Sequence, residues 1–172
     1  NNRNLYSLNR ILMAGAPIPG SLLEKFDHIL KPNAEIHTPY GATEALPVTT
    51  IERKEISKDT YKKSQQGYGT CVGRAVPGIE FRIIKITDDS IHQWNDSLEL
   101  THGEIGEVVV KGQWVTRNYF NHNRANKLAK IKDHGNTFWH RMGDVGYIDD
   151  KSRLWFCGRK SQRVRTANDT LF

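Results

Sequence analysis

Apolar residues fall in short runs between polar turns, and the spacing of those runs changes midway along the chain. Arg10-Ile11-Leu12-Met13-Ala14 is an apolar run that stops at Gly15, the pattern of a buried strand. Ser21-Leu22-Leu23-Glu24 then has capping-box spacing, in which the hydroxyl and the carboxylate can each take an orphan N–H of the first helical turn. Leu22, Leu23, Phe26, Ile29 and Leu30 follow at helical intervals on one face. Burying each such side chain is worth about 1.5–3 kcal/mol, so that face needs a sheet to pack on. Lys31-Pro32-Asn33 ends the helix, giving a span of 21–31. Ala34-Glu35-Ile36-His37 reads as a second strand running into Thr38-Pro39-Tyr40-Gly41. Strand, helix and strand in so few residues make a βαβ unit, which belongs to a parallel sheet. One unit leaves an apolar sheet face and edge uncovered, so self-association through that surface is expected.

From Ile51 to Gln66 the chain is polar and Lys-rich, which predicts a linker or surface loop. Beyond it the pattern is one of short apolar runs, Phe81–Ile86, Glu107–Lys111, Val145–Ile148 and Leu154–Phe156. Asp149-Asp150-Lys151-Ser152 is a polar turn that joins the last two as a hairpin. Asn123–Ile131 reads as a short helix with Ala125, Leu128 and Ile131 on one side. The expected fold is therefore mixed α/β and β. The end of a parallel α/β layer spans 1–50, a loop 51–66, and a small distorted antiparallel β-barrel 67–160.

Composition changes this picture little. Of the 172 residues, 37% are hydrophobic and 26% charged, which fits a folded domain and argues against disorder. No run approaches the roughly 18 unbroken apolar residues of a membrane helix. The start, Asn1-Asn2-Arg3-Asn4, has neither an initiator Met nor a signal-peptide core, so a piece of a longer protein is expected. Cys71 and Cys157 stand far apart, with neither metal-type spacing nor a disulfide framework, which favours a reducing, cytoplasmic compartment. The net charge of +6 favours anionic partners in general, but the basic residues are scattered rather than striped.

Four segments carry candidate chemistry: Ala14-Gly15-Ala16-Pro17, Tyr40-Gly41-Ala42-Thr43-Glu44, Arg141-Met142-Gly143-Asp144 and Phe156-Cys157-Gly158-Arg159-Lys160. The first two follow the carboxyl ends of expected parallel strands, where open α/β sheets bind ligands. A small-residue loop admits a flat base, Tyr40 offers an aromatic face, and Thr43 offers a hydroxyl to a phosphate. Glu44 suits Mg²⁺, which takes one or two carboxylates with phosphates and water. Asp144 can accept from ribose hydroxyls, and Arg159 can meet phosphate or ribose. Each residue alone has a blander reading: a packed aromatic for Tyr40, a turn residue for Asp144, a solvated charge for Arg159.

Tyr40-Gly41-Ala42-Thr43-Glu44 resembles the Tyr-Gly-x-Thr-Glu signature of the adenylate-forming enzymes. These are the acyl- and aryl-CoA synthetases, peptide-synthetase adenylation domains and luciferases. The family's order continues through Val72-Gly73-Arg74-Ala75-Val76-Pro77-Gly78, the Gly103–Gly112 segment, Asn118-Tyr119-Phe120, Arg141-Met142-Gly143-Asp144 and Phe156-Cys157-Gly158-Arg159. Such matches run from Ile11 to Arg165, and the wording of the last two is most similar to the olefin-biosynthesis, β-lactone-forming branch.

The resemblance implies an AMP-forming ligase that activates a carboxylic acid with ATP and Mg²⁺. The acid would be a fatty or β-hydroxy fatty acid, with coenzyme A left open as acceptor. Gly15, Ala16 and Pro17 would line the adenine and acyl pocket. Tyr40 would stack on adenine beside Gly41, Thr43 would bind the α-phosphate and Glu44 would hold Mg²⁺. Asp144 would hold the ribose, and Arg159 would contact ribose and phosphate. Residues 1–50 would then be the end of the AMP-binding subdomain, and 161–172 a hinge towards a further C-terminal domain. Ser161 and Arg165 depart from the usual hinge pattern. The phosphate loop with its lysine, the upstream aromatic motif and the small C-terminal domain have no counterpart here, so the isolated piece is expected to be inactive.

Other classes compete with this reading. One is peptide-synthetase-type amino-acid adenylation, and another is a non-catalytic nucleotide-binding module. A nucleic-acid-binding barrel would rest on Lys160, Arg163 and Arg165, only a short patch. A metal-dependent hydrolase would rest on His122, His134 and His140, which lack ligand spacing. Neither specific nucleic acid nor a transmembrane segment is therefore expected.

Overall fold

The computed structural model describes residues 4–18, 20–167 and 170–171, with side chains at all of these except 20, 21, 27 and 171. Strand β1 (Arg10–Leu12) runs parallel to β2 (Glu35–Ala42), with Ile11 opposite Ile36. Helix α1 (Gly20–Asp27) connects them. Leu23, Leu30, Ala34 and Ile36 form its buried contact with the sheet, and Phe26 and Ile29 pack on the edge of that cluster. The expected apolar face is used, but Leu22 is exposed, because neighbouring helical positions point about 100° apart. The helix starts at Gly20, and the Ser21 side chain of the expected capping box lies outside the described residues. It ends at Asp27, and turns rather than helix lead to Pro32.

The parallel layer is one strand pair deep. β2 turns back at Thr43-Glu44 into β3 (Ala45–Glu52), antiparallel, with Ala42 opposite Ala45. Residues 51–66, expected as a loop, instead complete β3 and form α2 (Arg53–Glu55), a π-helical turn (Ile56–Thr60) and α3 (Tyr61–Gln65). The reason is charge pairing at a distance. The buried Arg153 guanidinium meets Asp59 at 2.5 Å, Asp149 at 2.7 Å and Glu55 at 3.1 Å, and Arg74 also pairs with Glu55. A polar helical segment is thereby fastened to the far end of the sheet.

The remaining strands are β4 (Thr70–Ala75), β5 (Ile79–Ile84), β6 (Gly106–Gly112), β7 (Lys130–Lys132), β8 (Phe138–Ile148) and β9 (Leu154–Arg159). Helix α4 (Asn123–Ala129) leads into β7, so Ile131 is a buried strand residue rather than the end of the expected helix. The strand order is β1-β2-β3-β4-β9-β8-β6-β5, with β7 beside β8, and all pairs after β1–β2 are antiparallel. The expected β8–β9 hairpin is present. The expected barrel is an open sheet with ends at β1 and β5. It bends around one core, in which Val48 of β3 joins Phe81, Val108, Val110, Met142 and Leu154. Val109 points to the opposite face, into a second core with Ile84, Trp94, Ile131 and Trp139. Burial on both faces is why Val108–Val110 is an unbroken apolar run. At Gly73, φ is +89° and any Cβ would sit 2.0 Å from the Thr50 carbonyl oxygen, so only glycine lets β4 close on β3.

A short pair, β10 (Val164–Arg165) and β11 (Thr170–Leu171), follows β9. Among the described residues, no helix is long and apolar enough to cross a membrane.

Candidate functional site

The loop after β1 and the end of β2 meet the middle of β8 and the end of β9 at one cleft of about 420 Å³. Gly15, Ala16, Pro17, Tyr40, Gly41, Thr43, Asp144 and Arg159 all line it. Its walls are chiefly apolar, from Ile18, Leu46, Val72 and Phe156, with Ile56, Thr60 and Tyr61 of the helical segment closing one side. Two sequence expectations concerning position change here. Tyr40, Gly41 and Ala42 lie within β2 rather than after it, and Thr43-Glu44 is a two-residue hairpin turn. A Cβ on Gly41 would sit 2.3 Å from the Ala45 carbonyl oxygen, which explains the glycine in that tight corner.

Asp144 is the polar centre of the cleft. It sits on β8 directly opposite Arg159 of β9, and is 1% exposed. Its Oδ2 accepts a 2.6 Å hydrogen bond from Tyr40 Oη. Its Oδ1 forms a 2.7 Å ion pair with Arg159 Nη1. Burial pushes the Asp144 carboxyl above the ordinary aspartate range, against the opposing pull of Tyr40 and Arg159. Burial, then the Asp144 charge, pushes the Tyr40 phenol far above its ordinary range, so Tyr40 is a fixed donor. The Arg159 side chain is half exposed and can swing towards a ligand.

Glu44 does not line the same cleft. It faces the other side of the hairpin turn, where Tyr119 Oη donates to its Oε1 at 2.8 Å and Thr116 N–H donates to its main-chain oxygen at 2.8 Å. Among the described residues, Tyr119 is the one side chain hydrogen-bonded to the carboxylate. Burial pushes Glu44 up, but the Tyr119 bond, its own backbone and nearby His140 and Lys130 together hold it below the usual range. Lys130 lies over the rings of Tyr119 and Phe138 at 5.7 and 5.1 Å and donates to the Thr116 carbonyl. Burial lowers Lys130 to about 8 and His140 to about 4. A carboxylate held ionised, with no lysine or arginine among the described residues bridging it, fits a magnesium site that takes one protein oxygen and fills the rest with phosphate and water.

The nucleotide-site reading of the sequence gave no role to Tyr119, Lys130, His140 or the helical wall at Ile56–Tyr61. Tyr119 had a signal, since it lies in the Asn118-Tyr119-Phe120 segment. Lys130 had none. The residues on which a nucleic-acid-binding reading would rest are engaged in ion pairs: Lys160 pairs with Glu107 at 2.9 Å, and Arg163 and Arg165 both pair with Asp88. His140 is buried against the Ala129 carbonyl, while His122 and His134 are exposed. No group of three potential ligands gathers a metal among the described residues.

The AMP-binding enzyme family matches residues 1–120, and the chain belongs to that family. It is 44% identical over 174 residues to an olefin beta-lactone synthetase of Stenotrophomonas maltophilia, covering 99% of this chain and 31% of that protein. It is 45% identical over 163 residues to the olefin beta-lactone synthetase of Xanthomonas campestris, covering 92% of this chain and 29% of that protein. The chain thus spans about a third of the length of these relatives. The O-succinylbenzoate coenzyme A synthetase of Bacillus subtilis, unliganded, superposes with a TM-score of 0.74 at 25% identity, over 100% of this chain and 32% of that one. The same enzyme in complex with ATP and magnesium ion superposes with a TM-score of 0.70 at 26% identity, over 99% of this chain and 30% of that one. The open mixed sheet is thus a part of the larger adenylate-forming fold.

Proposed function

We propose that the full-length protein is an AMP-forming ligase that activates a fatty or β-hydroxy fatty acid. The observation that carries the reading is Asp144: a buried carboxylate on β8 that lines the cleft beside an aromatic ring and a half-exposed arginine. Such a group suits a pair of ribose hydroxyls, and hydrogen bonds to a charged acceptor are worth about 1.5–3 kcal/mol each. Tyr40 and the Gly15–Pro17 loop take the adenine, and Thr43 donates to the α-phosphate. Arg159 turns from Asp144 to the ribose and phosphate as the nucleotide enters. Glu44, at the hairpin turn beside the cleft, would hold magnesium, which would supply neutralisation of the phosphate charge.

In the reaction, a carboxylate oxygen of the acid attacks the α-phosphorus of ATP. The bond from that phosphorus to the bridging oxygen breaks, and pyrophosphate leaves with the electron pair. Acyl-adenylate remains. The chain's contribution is positioning and electrostatic stabilisation of a group that is anionic throughout. The apolar cleft walls support a lipophilic acid, as do two relatives called olefin beta-lactone synthetases.

The test is ATP–pyrophosphate exchange by the full-length protein with fatty and β-hydroxy fatty acids of graded length. Exchange that rises with chain length is expected. No exchange with any acid overturns the reading. Asp144→Ala raises the ATP requirement well above wild type; unchanged ATP binding in that variant refutes the role of Asp144.

A further inference from the structure

We infer that Tyr119 is the positioning residue that presents Glu44 to a divalent cation, and that Asn126 of α4 holds Tyr119 in place. The inference rests on the proposed role of Glu44 and deepens it. A glutamate at a hairpin turn has three rotatable bonds, and a freely rotating carboxylate makes a poor ligand, because ordering it costs binding energy. Here the ordering is built in. Tyr119 Oη holds Oε1 at 2.8 Å, while the Thr116 N–H fixes the Glu44 main chain.

Tyr119 is itself held from two sides. Its main-chain N–H donates to Asn126 Oδ1 at 2.6 Å, and its carbonyl accepts from Asn126 Nδ2 at 3.0 Å. That two-way amide clamp fixes the residue independently of its hydroxyl. Lys130 rests over the ring and ties back to Thr116. The path from α4 through Tyr119 to Glu44 thus consists of directional contacts. Partners of a metal-ligating carboxylate tune affinity by 10- to 100-fold in general.

The experiment uses the full-length protein with Mn²⁺ as the paramagnetic probe and a non-hydrolysable ATP analogue, with free Mn²⁺ read by electron paramagnetic resonance. Tyr119→Phe keeps the ring, the Lys130 contact and the Asn126 clamp. It is expected to weaken Mn²⁺ binding about 10-fold. In steady state it raises the Mg²⁺ concentration for half-maximal rate while kcat at saturating Mg²⁺ stays near wild type, a split that general loosening of the fold does not produce. Asn126→Leu, which releases the main chain of Tyr119, shifts Mn²⁺ binding in the same direction. Glu44→Gln separates the two levels. If Glu44→Gln binds Mn²⁺ like wild type, the metal role of Glu44 fails and this inference fails with it. If Glu44→Gln loses Mn²⁺ while Tyr119→Phe matches wild type, the positioning role of Tyr119 alone is overturned.

Discussion

Tyr40 Oη and Asp144 Oδ2 lie 2.6 Å apart, although 104 residues separate them along the chain. The bond joins the end of β2, which pairs in parallel with β1, to β8 in the middle of the antiparallel strands. It therefore fixes the two sides of the cleft relative to each other.

Tyr40→Phe should destabilise the protein by about 1.5–3 kcal/mol, the usual worth of a hydrogen bond to a charged partner. Urea unfolding at neutral pH measures it. Asp144→Asn in the Tyr40→Phe background should cost less than in wild type, because the two share one bond. Additive losses would mean that the bond contributes nothing.

His140 should make stability pH-dependent below neutrality. Burial, then nearby Lys130, depresses its pKa to about 4, while an unfolded histidine titrates near 6.5. Between those values the unfolded chain binds the extra proton, so stability present above pH 6.5 is lost as pH falls towards 4. The loss is at most about 3 kcal/mol from this group. His140→Leu should flatten that part of the stability profile in denaturant titrations at pH 4.5, 5.5 and 6.5. An unchanged slope in the variant would sink the assignment.

Arg141 and Glu107 form a buried pair at 2.7 Å, with side chains 3% and 1% exposed. Arg141 also donates to the Asp89 carbonyl at 2.7 Å and the Leu128 carbonyl at 3.2 Å. Arg141→Met strands these acceptors and leaves Glu107 with Lys160 alone. Breaking a buried pair from one side costs about 3–5 kcal/mol. The thermal midpoint should fall accordingly. Replacing both partners, as Arg141→Met with Glu107→Leu, should recover part of the loss, and equal losses in the single and double variants would contradict this.

The cleft was legible because its residues sit in local patterns. The apolar run before Gly15 and the Tyr40–Glu44 segment each mark a strand end, and a strand end in a parallel pair is where a ligand binds. The apolar face of Leu23 and Phe26, continued by Ile29 and Leu30 in the turn after the helix, was legible from its period alone. β3 was not, since Val48 and Ile51 are separated by Thr49 and Thr50, and Thr49 is buried only because its hydroxyl reaches the Val72 carbonyl across the sheet.

Sequence alone marked the segments around Gly15, Tyr40, Asp144 and Arg159 that meet at the cleft, because backbone preferences and apolar periodicity act over a few neighbours. Only tertiary structure decided what was polar and remote. The Lys-rich stretch after Glu52 is helical because Arg153, about a hundred residues later, collects Glu55 and Asp59. Glu44 turns to Tyr119 and away from the cleft because a two-residue hairpin reverses the chain beside it. Charge pairs and hydrogen bonds carry no sequence period, and their energy is realised only when the fold brings both partners within about 3 Å and out of water.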